Sequence, residues 1–252
     1  TKIHDKLEEI INGKATVDEL PTTLNEELLD LDMLGVEFPK DFKGNDTIRN
    51  NWVAYMKHFC KTFQPTKGTF KTEQLVIYPL SYDRYVQGYI DLIRENSDGT
   101  ISIYDWKTST DFKAAELIHH GRQLVFYALA KESEGFTVRD VSWIMLKYCQ
   151  VKFMGKKRSN SKNKTEIVKV LNRGKLISDL KDHIERDLEE LGYDELDIEI
   201  MIKNALKENS FDVLPPEVQE RYEVKPYVRS YPITDELRKE TIDYLNRMAD
   251  IF

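Results

Sequence analysis

The sequence of 252 residues predicts an α/β fold in which a central mixed β-sheet is flanked by helices. Three β-like segments follow one another at residues 72–79, 84–94 and 100–107, and helical periodicity precedes and follows them. A further β-like segment, VSWIMLKYCQVKF, comes after the second helical region. The predicted order of elements is therefore helix–β–β–β–helix–β.

Helices are predicted on both sides of this core. KIHDKLEEIING and RNNWVAYMKHFCKTF carry apolar residues at helical spacing before the first strand, and residues 114–131 form the helix after the third. Residues 176–206 are also helical in pattern, and Thr234 is the expected N-cap of the last helix. We therefore predict a core at residues 1–175 with an N-terminal helical part, and a helical C-terminal extension at residues 176–252 packed on it.

Two aspartates and a lysine are expected to converge on the predicted hairpin. Asp91 lies within the apolar run YVQGYIDLI, and Asp105 and Lys107 lie two residues apart in ISIYDWK. Residues two apart on a strand share a face, and the Asp-Gly pair in the intervening ENSDGT favours a tight reversal. We therefore expect two carboxylates and an amine to lie close together.

Such a cluster suits a divalent cation. Neighbouring carboxylates repel each other, and Mg²⁺ is commonly held by one or two carboxylates together with water and phosphate oxygens. A lysine beside the ion can orient a water or stabilise developing charge. The alternative is a surface hairpin with an Asp105–Lys107 ion pair, worth at most about 1 kcal/mol. The apolar neighbours of Asp91 favour the metal site.

These residues resemble the motifs of the PD-(D/E)XK nuclease superfamily, and the RecB-like branch is the closest match. G-x-x-D ends at Asp91, and D-x-K-T begins at Asp105. GRQLVFYALA supplies the Gln-x-x-x-Tyr pattern with Gln123 and Tyr127, and IHDKLEEII supplies H-x-x-L-E beginning at His4. The four elements occur in the family order and cover about residues 3 to 130.

The resemblance implies a restriction-endonuclease-like fold and hydrolysis of DNA phosphodiesters with one or two Mg²⁺ or Mn²⁺ ions. It implies that Asp91, Asp105 and His4 hold the metal, helped by the Trp106 carbonyl. It also implies that Lys107 positions or activates the attacking water. Asp91, Asp105 and Lys107 are thus the expected catalytic residues.

Other residues have two interpretations each. His4 is a metal ligand or an exposed histidine on the first helix, and His58 is the rival ligand. Glu73 supports the site or is a solvated strand end. Gln123 contacts the lysine or DNA and Tyr127 is both core and site wall, or the two only pack a helix on the sheet.

Charge is unevenly distributed. The net charge of −7 argues against a general nucleic-acid binder, but residues 151–175 sum to +8 and leave −15 for the rest. We predict a basic loop near residues 154–165 that contacts DNA phosphates, and the alternative is a solvated hairpin tip. The expected DNA contacts are Lys156, Lys157, Arg158, Lys162 and Lys164.

Composition excludes several other classes. There is no apolar run of 18 residues and no apolar signal-peptide core, and two cysteines favour a reducing compartment without a disulfide framework. Two cysteines also cannot supply the four ligands of an iron–sulfur cluster. We therefore expect a cytoplasmic protein with no membrane partner, and the resemblance implies a bacterial or phage-infected cell.

The resemblance favours an exonuclease that processes single- or double-stranded DNA ends in recombination or repair, with a helicase or recombination protein as a further partner. Two alternatives remain open. One is a non-catalytic, accessory nuclease fold that binds DNA or a helicase, although the intact D…DxK set argues against it. The other is a nuclease directed at RNA.

Overall fold

The fold comes from a computed structural model that describes residues 1–155 and 165–251. Its α-helices are α1 (Lys2–Ile11), α2 (Leu20–Met33), α3 (Thr47–Thr62), α4 (Ala114–Ser133), α5 (Leu176–Glu190), α6 (Glu195–Glu208), α7 (Pro216–Gln219) and α8 (Asp235–Ala249). Its strands are β1 (Thr69–Pro79), β2 (Tyr85–Glu95), β3 (Ile101–Lys107), β4 (Val138–Met154), β5 (Glu166–Asn172) and β6 (Tyr222–Tyr231).

The strands form a mixed sheet in the order β1-β2-β3-β4-β5, and β6 also pairs with β4. The β1–β2, β2–β3 and β4–β5 pairs are antiparallel, whereas β3 and β4 are parallel. A parallel pair needs a crossover connection, and α4 supplies it between β3 and β4. The predicted α/β fold with a mixed sheet flanked by helices is confirmed.

The sequence did not predict β5 and β6. β5 reads EIVKVLN, whose apolar residues suit a strand, but this short segment directly follows the polar, basic stretch and no element was predicted there. β6 reads YEVKPYVRSY, in which Pro226 argues against a paired strand. Residues 176–252, predicted as a helical extension, therefore also contribute a strand to the sheet. The N-cap was predicted correctly, because the Thr234 side chain accepts a hydrogen bond from Leu237 N.

The chain folds into two compact units, each built from segments that are separate in sequence. The first unit contains Thr1–Gly35, Phe63–Met145 and Val228–Phe252. The second contains Val36–Thr62 and Leu146–Tyr227. Compactness does not show which segments fold independently, so the division at residue 175 stays a prediction.

The first unit holds β1, β2, β3, α1 and α4 around one buried core. Trp143 of β4 is fully buried, with its ring centroid 4.8 Å from that of Phe112 and 5.4 Å from that of Tyr231. Gly88 lets α4 approach β2 closely, because a Cβ atom there would lie 2.9 Å from the Phe126 ring. This close approach brings one face of α4 to the end of β3.

The second unit has its own core around α5. Leu176, Ile177, Leu180, Ile184 and Leu188 are buried along one side of this helix. Cys60 and Cys149 are both buried, and within the described residues neither forms a disulfide. None of the helices in the described residues is both long and apolar enough to span a membrane.

Candidate active site

Asp91 and Asp105 lie where the pairing of β2 with β3 ends. The last paired residues are Leu92 and Tyr104, and each aspartate is the next residue beyond that pair. Beyond that pair a side chain joins the two strands, because Trp106 N donates to Asp91 Oδ2 over 2.8 Å. Asp91 is thereby fixed against the strand that carries Asp105.

Asp105 is almost fully buried beside Lys107. Only 3% of its surface is exposed, and Lys107 Nζ lies 2.5 Å from its Oδ2 as a close ion pair that is not aligned as a hydrogen bond. Burial, opposed by the Lys107 charge and assisted by the negative charge of Asp91, raises the pKa of Asp105 to about 6. Keeping the carboxylate ionised therefore costs free energy even beside Lys107, and a metal cation would offset that cost.

Lys107 is held from the other side by α4. Its Nζ donates to Gln123 Oε1 over 3.2 Å, and Gln123 Nε2 donates to the Tyr127 hydroxyl over 2.9 Å. Gln123 and Tyr127 are four residues apart and so lie on one face of the helix. Burial, followed by the Asp105 charge, raises the pKa of Tyr127, which keeps its hydroxyl neutral. The chain Tyr127–Gln123–Lys107–Asp105 thus orients the lysine.

His4 of α1 supplies an imidazole to the same region. Its ring centroid lies 6.0 Å from that of Trp106, and its Nε2 is buried without a hydrogen-bond partner among the described residues. Burial lowers the pKa of His4, and the nearby Asp91 charge opposes this shift. A neutral imidazole with an unused ring nitrogen is in the form that ligates metals.

Glu73 of β1 completes the acidic surroundings. It lies between the pairs Thr72–Leu92 and Gln74–Ile90, at the position facing Asp91, and its φ of 46° is left-handed. A non-glycine residue held there costs on the order of 1–3 kcal/mol. Partial burial, followed by the charge of Asp91, raises the pKa of Glu73. The interpretation of Glu73 as a residue of the site stays a prediction.

Glu8 is the last residue of the H-x-x-L-E pattern that begins at His4, and it was not predicted to belong to the site. Its Oε1 accepts from Thr72 Oγ1 over 3.3 Å, and its charge contributes to the raised pKa of Glu73. Its position one helical turn after His4 was the signal for this placement.

The donor types of this region fit Mg²⁺ or Mn²⁺. Carboxylate oxygens, a neutral imidazole and the Trp106 carbonyl are ligands that these ions accept. The unused Nε2 of His4 and the costly buried charge of Asp105 are features that a cation would satisfy. Within residues 1–155 and 165–251, no three His, Cys, Asp or Glu side chains already converge as a ready metal group. Asp91 and Asp105 are engaged with Trp106 N and Lys107 instead.

The comparison with known families decides the identity of the fold. A family model of the PD-(D/E)XK nuclease superfamily matches residues 1–223. The chain belongs to the PD-(D/E)XK nuclease superfamily. This PD-(D/E)XK chain has its predicted motifs, from His4 to Tyr127, inside the matched region, and the superfamily is one of nucleases. A search of the curated proteins found no significant match.

The remaining predicted residues are placed as follows. His58, the rival ligand, is buried in α3 of the second unit, where burial lowers its pKa to about 4. The predicted DNA contacts all lie outside the described residues; they are Lys156, Lys157, Arg158, Lys162 and Lys164. Their role therefore stays a prediction.

Proposed function

We propose that this PD-(D/E)XK protein is a Mg²⁺- or Mn²⁺-dependent DNA nuclease that hydrolyses phosphodiesters. The observation that carries the proposal is the buried Asp105 paired with Lys107, which Gln123 holds from α4 beside Asp91. A structural ion pair would need neither the unused His4 Nε2 nor a second carboxylate at the same strand end. Family membership supports the same conclusion.

Each residue has a distinct proposed role. Asp91, Asp105 and His4 would hold the metal together with the Trp106 carbonyl. The bound metal would supply Lewis-acid polarisation of the phosphate and of a water. Lys107 would position the attacking water and stabilise charge that develops on the phosphate oxygens.

The Gln123–Tyr127 pair would keep the Lys107 ammonium aimed at the reacting phosphate. Gln123 accepts from Lys107 and donates to Tyr127, so the lysine has one preferred direction before substrate binds. Preorganised donors of this kind lower the barrier because they need not reorient during the reaction.

We further propose that the protein is an exonuclease that acts on DNA ends in recombination or repair. Its motif residues match the RecB-like set: His4, Asp91, Asp105, Lys107, Gln123 and Tyr127. A helicase or recombination protein would be its partner. This assignment rests on the likeness of the motifs to the RecB-like branch.

Cleavage of linear and closed circular DNA tests the proposal. We expect wild-type protein with Mn²⁺ or Mg²⁺ to release nucleotides from end-labelled linear DNA, and to leave closed circles intact. A chelator and the Asp105→Asn variant should each abolish the release. Equal cutting of linear and circular DNA would contradict the exonuclease assignment, and no metal-dependent cutting of either would contradict the nuclease itself.

A further inference from the structure

One face of the β1–β2 hairpin is both apolar and exposed. β1 pairs with β2 so that Leu75 faces Tyr89 and Pro79 faces Tyr85, and paired residues point to the same side of the sheet. Tyr85 is 67% exposed, Tyr89 54% and Leu75 48%. We call this surface the hairpin face; its residues are Leu75, Ile77, Tyr85, Gln87 and Tyr89.

The opposite side of the same hairpin is the one that packs on the protein. Val76 is buried and pairs with Gly88, whose missing Cβ makes room for the Phe126 and Tyr127 rings. The hairpin is therefore anchored to α4 without using the tyrosines of the hairpin face. Their rings are available for a ligand.

The hairpin face continues directly into the candidate active site. Tyr89 lies two residues from Asp91 on β2, about 7 Å along the strand, and Leu75 lies two residues from Glu73 on β1. A chain lying along this face would thus reach the proposed metal ligands.

The tip of the hairpin extends the aromatic surface and is held in place. Tyr82 is 88% exposed, and Tyr82 and Asp83 are both left-handed, with φ of 60° and 55°. The Arg84 guanidinium lies 5.6 Å from the centre of the Tyr82 ring and is paired at 2.8 Å with Asp250, the C-cap residue of α8. Such strained residues persist where surrounding contacts fix them, and they concentrate at functional positions.

We propose that the hairpin face is a stacking platform for the bases of single-stranded DNA, whose backbone it leads to the active site. This inference rests on the proposed nuclease function. The five positions of the face carry no charged residue, so the face offers no cation to the phosphates that cover a duplex. A single strand exposes the flat faces of its bases, and aromatic side chains bind those faces whatever the sequence.

Binding measured without cleavage tests the platform. A labelled single-stranded oligonucleotide of mixed sequence and a blunt duplex of the same sequence would be titrated with protein in EDTA, with fluorescence anisotropy as the readout. Tyr85→Ala and Tyr89→Ala should each weaken binding of the single strand about tenfold, which is the loss expected for one base–aromatic stack. Binding of the duplex should change less than twofold.

Matched variants separate stacking from general surface effects. Tyr85→Phe and Tyr89→Phe keep the ring and should bind the single strand as wild type does. Val168 is an apolar side chain of β5 that is 50% exposed and lies outside the hairpin face. Val168→Ala should therefore leave the affinity for the single strand unchanged. Thermal unfolding should show that all these variants fold, because the substituted side chains are exposed.

Three results would overturn the platform. Alanine variants that bind the single strand normally, or that lose single-strand and duplex binding equally, would each do so. So would sedimentation showing that the same variants dissociate a dimer, since the face would then bind a second copy of the chain. Mn²⁺-dependent cleavage by the wild type is measured separately, so its absence would contradict the proposed function without removing the binding result.

Discussion

At the scale of the residue, Asp105 combines two features that each reduce the stability of the folded protein. It is buried and close to a second carboxylate, and it is paired with the Lys107 ammonium. The sequence predicted that Asp91, Asp105 and Lys107 would meet, because the period of a strand and an Asp-Gly reversal determine which side chains approach. It could not predict that Trp106 N would bind Asp91, since that contact depends on where the strand pairing ends.

The Asp105→Asn variant should change how stability depends on pH when metal is absent. The pKa of Asp105 is about 6 in the folded protein, above the ordinary value of 3.8. Between these values the folded protein keeps a proton that the unfolded chain loses, so rising pH lowers the wild-type free energy of unfolding. Asparagine has no such proton, and the variant should gain up to about 3 kcal/mol relative to wild type between pH 4 and pH 7.

Chemical denaturation in EDTA at several pH values measures this difference. Asp98→Asn is the matched control, because Thr100 and Arg139 lower the pKa of exposed Asp98 to about 2. The contribution of Asp98 to the free energy of unfolding changes mainly at pH values below 4. The difference in free energy of unfolding between Asp98→Asn and wild type should therefore stay constant over the measured range. A constant difference for Asp105→Asn as well would mean that its carboxyl is not held neutral by burial.

At the scale of the element, α4 links the sheet to the site. The i, i+4 spacing of Gln123 and Tyr127 predicted a shared face, and the structure turns that face towards Lys107. Gly88 explains how the helix comes so near, because any side chain there would meet Phe126. The strand β6 was not predicted because its proline argues against a paired strand, and β5 was not predicted because it is a short segment after a polar, basic stretch.

Lys107 and Gln123 should differ in what their removal does to catalysis. Lys107→Ala should lower kcat about 10²-fold or more and leave Mn²⁺ affinity nearly unchanged, since its contact is made in the transition state. Gln123→Ala removes only the group that orients the lysine, so kcat should fall less, by about fivefold, which corresponds to one hydrogen bond.

Single-turnover cleavage and Mn²⁺ titration would be measured on both variants, with Gln123→Glu as a variant that keeps an acceptor for Lys107. Normal cleavage by Lys107→Ala would remove the lysine from the chemistry. A variant that loses only DNA affinity would instead make Lys107 a phosphate-binding residue.

At the scale of the whole molecule, the order of apolar segments predicted the fold class. It did not predict how the chain divides into two compact units. The units join segments that are distant in sequence, such as Thr1–Gly35 with Val228–Phe252, and no local pattern predicts such long-range packing. Charge, in contrast, can be read from the sequence. A protein at −15 outside residues 151–175 has one evident region for binding phosphates.

Replacing Lys156, Lys157 and Arg158 with serine should therefore weaken DNA binding and reduce its salt dependence. Each lost phosphate contact lowers the slope of log affinity against log salt by about 0.7 to 0.9, so the triple variant should lose about two to three units. DNA titrations at several salt concentrations measure the slope, and Mn²⁺ affinity should not change. A wild-type slope would show that these residues are only a solvated hairpin tip.

The central claim is that Asp91 and Asp105 hold the catalytic metal. Calorimetric titration of Mn²⁺ into wild type, Asp91→Ala and Asp105→Ala tests it most directly, with Asp98→Ala as a control carboxylate that is paired with Arg139. Wild type and Asp98→Ala should bind Mn²⁺ alike, and both site variants should lose that binding while remaining folded. Unchanged Mn²⁺ affinity in Asp91→Ala and Asp105→Ala would contradict the assignment.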